Sequence, residues 1–282
     1  MSAFCLACLG YAILALPAST GGLLWPSIRV SLHQPLGALG GLLALSVVAS
    51  VAASVATGRL LSRLSAASIL ATGTVLCGLG AGVDALAPTV WLFAAGMVVG
   101  GLGFGAVDAG FNAYAARHFD ARQITGMHAS YGVGATAGPL LATALLGAAV
   151  SWRWIFALLA AVQIGLAALL AAGRGAWVAL PATVPVPAGV PVPVEPDPAQ
   201  PARNRPRVGV VVGSLVFTTV ETGIEAAAGV WGFVFLTAGR GLASAVAGAA
   251  VSGYWAMVVV GRIVLGLAAE RLGAGRVLGA AV

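Results

Sequence analysis

Eight apolar runs of about 20 residues or more follow one another along this chain with short interruptions. A run of about 20 apolar residues is what a helix needs to cross the hydrocarbon core of a bilayer. Helices are favoured over a barrel because the runs are continuously apolar and because a helix satisfies its own backbone in lipid. The sequence predicts transmembrane helices at 3–28, 37–57, 67–87, 89–117, 126–149, 153–173, 208–237 and 243–265.

The distribution of charge supports a membrane protein and predicts its topology. Charged residues make up 8% of the chain, whereas a soluble domain carries about 25%. The net charge of +6 comes from arginine alone, and in a soluble protein it would suggest nucleic-acid binding. With a cytoplasmic N-terminus, ten arginines fall inside and Arg29, Arg153 and Arg240 fall outside, as the positive-inside rule requires. We therefore expect a multi-pass protein of a bacterial cytoplasmic membrane that binds no nucleic acid.

A proline-rich stretch divides the predicted helices into two groups. Nine prolines lie between Pro181 and Pro206, and proline at this density favours an extended, solvated linker. The sequence predicts a six-helix bundle at 1–173, a cytoplasmic linker at 174–207 and a partial second bundle at 208–282. The second part has two helices and the start of a third, so we expect a chain truncated after helix 8.

Two segments of the sequence repeat each other. "GRLLSRLSAASIL" begins at Gly58 after predicted helix 2, and "GLAAERLGAGRVL" begins at Gly266 after predicted helix 8. Both place a glycine at the predicted helix end and an arginine, Arg63 or Arg271, five residues later. Internal repeats of this kind occur in transporters.

These segments resemble the Gly-x-x-x-Asp-Arg-x-Gly signature in the loops of the major facilitator superfamily. "GLAAERLG" fits it with Glu270 in the acidic place, whereas "GRLLSRLS" has Ser62 where the acid belongs and Ser65 where the second glycine belongs. The resemblance implies an all-α membrane fold of the major-facilitator type, with six helices of the first half and two of the second. It also implies that the acidic residue of the signature helps to stabilise one conformation of the transport cycle.

Three further motifs resemble the fucose-permease-like proton symporters of that superfamily. "GFGAVDAGFNA" in helix 4 is similar to an acid-x-x-x-Asn pattern and supplies Asp108 and Asn112. "MHASYGVGATAGP" in helix 5 supplies His128, and "EAAAGVWGFVFL" in helix 7 supplies Glu225 and Trp231. The resemblance implies that these residues bind solute and protons. Fucose permease has an acid in helix 1 that is missing here, so sugar transport does not simply carry over.

The residues themselves also single out Asp108. An ionised aspartate near the centre of a transmembrane helix costs about 3 kcal/mol, so it normally faces the bundle interior or water. Asn112 lies four residues on and shares its face. A carboxylate isolated among apolar residues favours its neutral form and could carry a proton. The alternative is a structural carboxylate that ties helix 4 to a neighbour by hydrogen bonds.

Glu221 and Glu225 form a second acidic pair, four residues apart in predicted helix 7. Their mutual repulsion favours protonation of one of them. Glu225 is the stronger candidate for coupling because Trp231 accompanies it. His128, at the start of helix 5, is a candidate for titration near neutral pH, or else an interfacial hydrogen-bonding residue.

The motifs predict a proton-coupled secondary transporter of a small hydrophilic solute, for example a sugar, that works by alternating access as a monomer when complete. A drug or metabolite exporter stays open, because "GATAGP" in helix 5 also resembles antiporters of the superfamily. A non-transporting fragment or sensor is the third possibility. An enzyme is not expected, since no His-Glu-x-x-His segment or clustered ligand set occurs, and no cofactor or metal is expected.

Overall fold

The computed structural model describes residues 1–177 and 208–273, and the regular structure in these ranges is helical. A 3-10 turn at Gly173–Ala176 follows the sixth helix, and a π-helical turn at Phe235–Gly239 follows the seventh. The eight long helices are each long and apolar enough to cross a membrane, which confirms the predicted all-α membrane fold. They are α1 (Ala3–Ser31), α2 (Ala38–Leu60), α3 (Ala66–Leu86), α4 (Val90–His118), α5 (Ala121–Gly147), α6 (Trp152–Ala172), α7 (Val208–Val234) and α8 (Ser244–Leu272).

The chain divides into two compact units, one of residues 1–180 with 229–282 and the other of residues 181–228. In the first unit, α1 packs against α5 and α6, α3 packs against α4 and α6, α2 packs against α4, and α5 packs against α8. In the second unit the structure describes the first part of α7. The predicted linker lies outside the described residues from 178 onward, so the division into two bundles stays a prediction.

Two helix ends differ from the predicted ones for local reasons. α5 begins at Ala121 instead of 126, because Asp120 caps it and exchanges hydrogen bonds with Gln123 in a capping box. α8 was predicted to end at 265 but continues to Leu272, where Gly273 adopts a positive φ of 85°. Gly266 is a poor helix former, but the six residues after it, "LAAERL", are good ones and continue the helix.

Glycines on α4 and α5 bring neighbouring helices close together. A Cβ on Gly101 or Gly105 of α4 would collide with the backbone of α2 at Ser46 or Ser50. On the other side of α4, Gly100 leaves no room for a side chain on Gly80 of α3. A Cβ at either Gly134 or Gly138 of α5 would likewise collide with α1. Small-residue faces of this kind allow transmembrane helices to approach closely.

Buried side chains of the first unit form two separate cores. The Tyr11 cluster lies toward the start of α1, and the Trp25 cluster lies toward its end. Large members of the Tyr11 cluster are Leu6, Tyr11, Leu14, Leu70, Phe111, Tyr114 and Trp177. Large members of the Trp25 cluster are Leu24, Trp25, Ile28, Phe93, Trp152, Phe156, Phe233 and Trp255.

Candidate functional site

Asp108 and Asn112 lie one turn apart on the same face of α4, as their spacing predicts. The Asn112 amide donates from Nδ2 to Asp108 Oδ1 over 3.2 Å and to the Asp108 carbonyl oxygen over 3.0 Å. Both side chains are half-buried. α4 therefore presents a carboxylate and an amide as one polar unit in an otherwise apolar helix.

Tyr11 of α1 completes this polar unit. Its hydroxyl donates to Asp108 Oδ1 over 2.9 Å and accepts from Asn112 Nδ2 over 2.7 Å. Tyr11 is 2% exposed, whereas Asp108 is half-buried, so the tyrosine approaches the carboxylate from the protein side. We call Tyr11, Asp108 and Asn112 the α1–α4 triad. Through the triad, Asp108 also links α4 to α1, which is the arrangement expected if the carboxylate has a structural role.

Aromatic rings surround Tyr11 and form the wall of the triad. The rings of Phe111 and His128 each lie with their centroids 5.3 Å from that of Tyr11, and the His128 ring is nearly perpendicular to it, at 87°. Tyr131 lies 6.0 Å away. The structure thus brings three of the predicted site residues, Asp108, Asn112 and His128, around a tyrosine that the sequence did not single out.

Of the other predicted site residues, Trp231 lies in the same compact unit as the triad but not beside it. Trp231 is half-buried and packs against the Trp25 cluster, near Gly40 of α2. Glu225 is half-buried in the second compact unit. The Glu221 side chain lies outside the described residues. Roles for these three residues stay predictions.

A second acidic residue, Asp84 of α3, was missed by the sequence interpretation. Its side chain is 4% exposed, and its Oδ1 atom has no hydrogen-bond partner among the residues that the structure describes. It lines a cavity of about 310 Å³ that extends between α1, α2, α3 and α4. A lone acid in "GLGAGVDAL" could have been found by the same criterion that singled out Asp108, an ionisable residue in an apolar helix.

Comparison with protein families agrees with the helical membrane fold. The family model described as the Major Facilitator Superfamily matches residues 4–282. The chain belongs to the Major Facilitator Superfamily. No curated protein matches the sequence significantly. Membership makes this protein a multi-pass membrane transporter in general terms, in a superfamily of transporters and not of enzymes.

The superfamily's signature residues lie at the ends of α2 and α8. Gly58 is exposed in the last turn of α2, and Arg63 is exposed in the turn that follows. The prediction that Gly266, Glu270 and Arg271 form a loop is wrong, because α8 contains all three. Arg271 is exposed, while the surroundings of the Gly266 and Glu270 side chains lie outside the described residues. In this superfamily member the second copy of the signature is helical.

Proposed function

We propose that the protein is a proton-coupled secondary transporter of a small hydrophilic solute such as a sugar, that it works by alternating access, and that Asp108 carries the proton. The observation that carries the proposal is the convergence of two donors, Tyr11 Oη and Asn112 Nδ2, on the single oxygen Asp108 Oδ1. The carboxylate keeps partial exposure, so a proton and a solute can reach it.

Protonation of Asp108 changes the strength of the link between α1 and α4. Hydrogen bonds to an ionised carboxylate are about twice as strong as those between neutral groups. α1 packs mainly against α5, and α4 packs mainly against α2 and α3, so the triad is one of few links between α1 and α4. When Asp108 accepts a proton, this link weakens, and the two helices can move relative to each other. Proton binding is thereby coupled to a change in helix packing.

The remaining predicted residues receive roles in the same scheme. Asn112 and Trp231 contact the solute, and His128 exchanges a proton or hydrogen bond at the edge of the triad. Glu225, with Glu221 one turn away on the same helix, supplies a second acidic site in α7. The protein works as a monomer in a bacterial cytoplasmic membrane, with its N-terminus in the cytoplasm.

An exporter that exchanges solute for protons is the second candidate. Gly134 and Gly138, which are followed by Pro139, pack closely against α1. This Gly-x-x-x-Gly-Pro segment resembles one found in antiporters of the superfamily, and that resemblance favours an exporter. Solute counterflow in vesicles with opposed proton gradients separates the two. An importer accumulates solute on the alkaline side of the membrane, whereas an exporter accumulates it on the acidic side.

The proposal is tested by proton flux in proteoliposomes that contain the purified chain and an entrapped pH-sensitive dye. A panel of monosaccharides is added from outside, one at a time, without an imposed gradient. We expect at least one to move protons in the same direction as the sugar. When an inward proton gradient is then imposed, that sugar should accumulate against its own gradient, and a protonophore should abolish the accumulation. Uphill sugar uptake that is insensitive to the protonophore would contradict proton coupling.

A further inference from the structure

The cavity beside Asp84 has features of a ligand site whose acidic residue is distinct from the α1–α4 triad. Its volume of about 310 Å³ falls within the range of small-molecule pockets. Asp84 Oδ1 is directed at Gly96 of α4, where a Cβ would collide with it, so glycine makes room for the carboxylate. Arg153 lies at the same end of α3 but donates from Nη1 to the carbonyl oxygens of Ala85 and Ala87. Within the described part of the chain, Asp84 Oδ1 is therefore left without a hydrogen-bond partner.

The cavity walls are apolar and carry aromatic rings from three helices. Trp25 of α1, Phe93 and Phe104 of α4, and Phe156 of α6 all line it. The Trp25 indole is held in place because its Nε1 donates to the Leu36 carbonyl over 2.9 Å. Aromatic faces attract organic cations, and quaternary ammonium groups are bound in aromatic cages. A carboxylate among such rings adds the opposite charge.

The surroundings of Asp84 argue against a small inorganic cation. Na⁺ and Ca²⁺ are held by several oxygen ligands, and Ca²⁺ takes six to eight of them. Within the described ranges, no group of three His, Cys, Asp or Glu side chains is placed to hold a metal ion. The cavity also opens beside exposed apolar side chains of α1 and α2, Ala18, Val47 and Val51. An apolar opening of this kind admits an organic cation more readily than a hydrated ion.

We propose that this cavity binds a small lipophilic monocation, a quaternary or protonated amine, with its charge at Asp84 and its apolar groups against Trp25, Phe93 and Phe104. The acidic end of the site lies away from the proposed proton carrier, although Phe104 at the other end of the cavity is one turn from Asp108 on α4. Asp84 and Asp108 lie on different helices, and the Asp84 partner Gly96 is 12 residues from Asp108 along α4, about 18 Å by helical rise. Binding in this cavity can therefore be measured without any transport activity.

The test uses the full chain, purified in an uncharged detergent, and radiolabelled benzyltrimethylammonium in equilibrium dialysis. Asp84→Asn removes the charge and keeps the shape. Asp120→Asn is the matched control, because it removes an exposed aspartate while asparagine still caps α5. Phe104→Leu keeps an apolar wall and removes an aromatic face. Asp108→Asn reports whether binding belongs to the triad instead.

We expect saturable binding to the parent, about 10-fold or more weaker binding to Asp84→Asn, and about 2- to 5-fold weaker binding to Phe104→Leu. Asp120→Asn and Asp108→Asn should bind like the parent. Neopentylbenzene, the neutral isostere, should compete poorly. The absence of saturable binding to the folded parent would overturn the proposal, as would equal affinity in Asp84→Asn or a loss of binding confined to Asp108→Asn. If Asp84→Asn does not fold, an unchanged affinity in Phe104→Leu overturns it.

Discussion

At the scale of single residues, Asp108 is both hydrogen-bonded and half-exposed. Its hydrogen bonds alone therefore do not decide whether it is a structural carboxylate or a proton carrier. A structural carboxylate needs only to accept the hydrogen bonds from Tyr11 and Asn112, and an amide oxygen can do the same. A proton carrier must also titrate, which an amide cannot do. The two roles therefore differ in their response to Asp108→Asn, and not in the geometry.

Tyr11→Phe tests whether the α1–α4 triad stabilises the fold. The substitution removes a hydroxyl that donates to the carboxylate and accepts from Asn112. Hydrogen bonds to charged groups contribute about 1.5–3 kcal/mol, and side-chain hydrogen bonds within membranes average about 0.6 kcal/mol. We expect the free energy of unfolding to fall by about 1–2 kcal/mol. The measurement is a denaturation curve of the purified chain in detergent.

A Tyr11→Phe protein as stable as the parent would contradict a stabilising link between α1 and α4.

At the scale of helices, glycine faces set the distance between α4 and its neighbours. Gly105→Ala adds a Cβ that collides with the α2 backbone at Ser50, so we expect a loss of about 1–3 kcal/mol in the free energy of unfolding. Gly165→Ala makes the same change in α6 where no atom lies within 4 Å, and it should be neutral or slightly stabilising. Thermal unfolding of both proteins checks the pair, and equal midpoints would contradict close α2–α4 packing.

The helices could be predicted from the sequence because their signals are local. Length, hydropathy and glycine spacing are properties of one segment, and even the missed start of α5 was readable from Asp120 and Gln123. The end of α8 lies beyond the predicted one because "LAAERL", within the segment that resembles a superfamily loop signature, consists of good helix formers.

The site could be predicted only in part because it depends on which helices meet. The spacing of Asp108 and Asn112 places them on one face, but nothing local indicates that Tyr11, 97 residues away, donates to that face. Asp84 was open to prediction as a lone acid, whereas its aromatic surroundings come from α1, α4 and α6. Such contacts between distant segments are set by packing and not by periodicity.

At the scale of the whole molecule, the arginine distribution predicts a cytoplasmic N-terminus and a cytoplasmic linker. Ala188 of that linker lies outside the described residues, but its sidedness can be measured. In a chain whose three native cysteines are replaced, an impermeant thiol reagent added to intact cells should not label Ala188→Cys. Labelling should appear once the cells are permeabilised.

Ala149→Cys is the matched control for this topology. Ala149 is exposed in the turn between α5 and α6, which the same topology places outside. It should be labelled in intact cells. Labelling of Ala188→Cys and protection of Ala149→Cys in intact cells would show that the orientation is opposite to the predicted one.

The most direct test of proton coupling compares two modes of transport in vesicles that contain Asp108→Asn. Uphill uptake driven by an imposed proton gradient is measured beside exchange of labelled for unlabelled solute, with a monosaccharide that moves protons in the parent. Asparagine keeps an acceptor for Tyr11 and removes the cost of a buried charge, so folding should be preserved. We predict that uphill uptake is lost while exchange survives, because the site is held in a form like its protonated state. Accumulation against a gradient equal to that of the parent would show that Asp108 is structural and that coupling depends on other acidic residues.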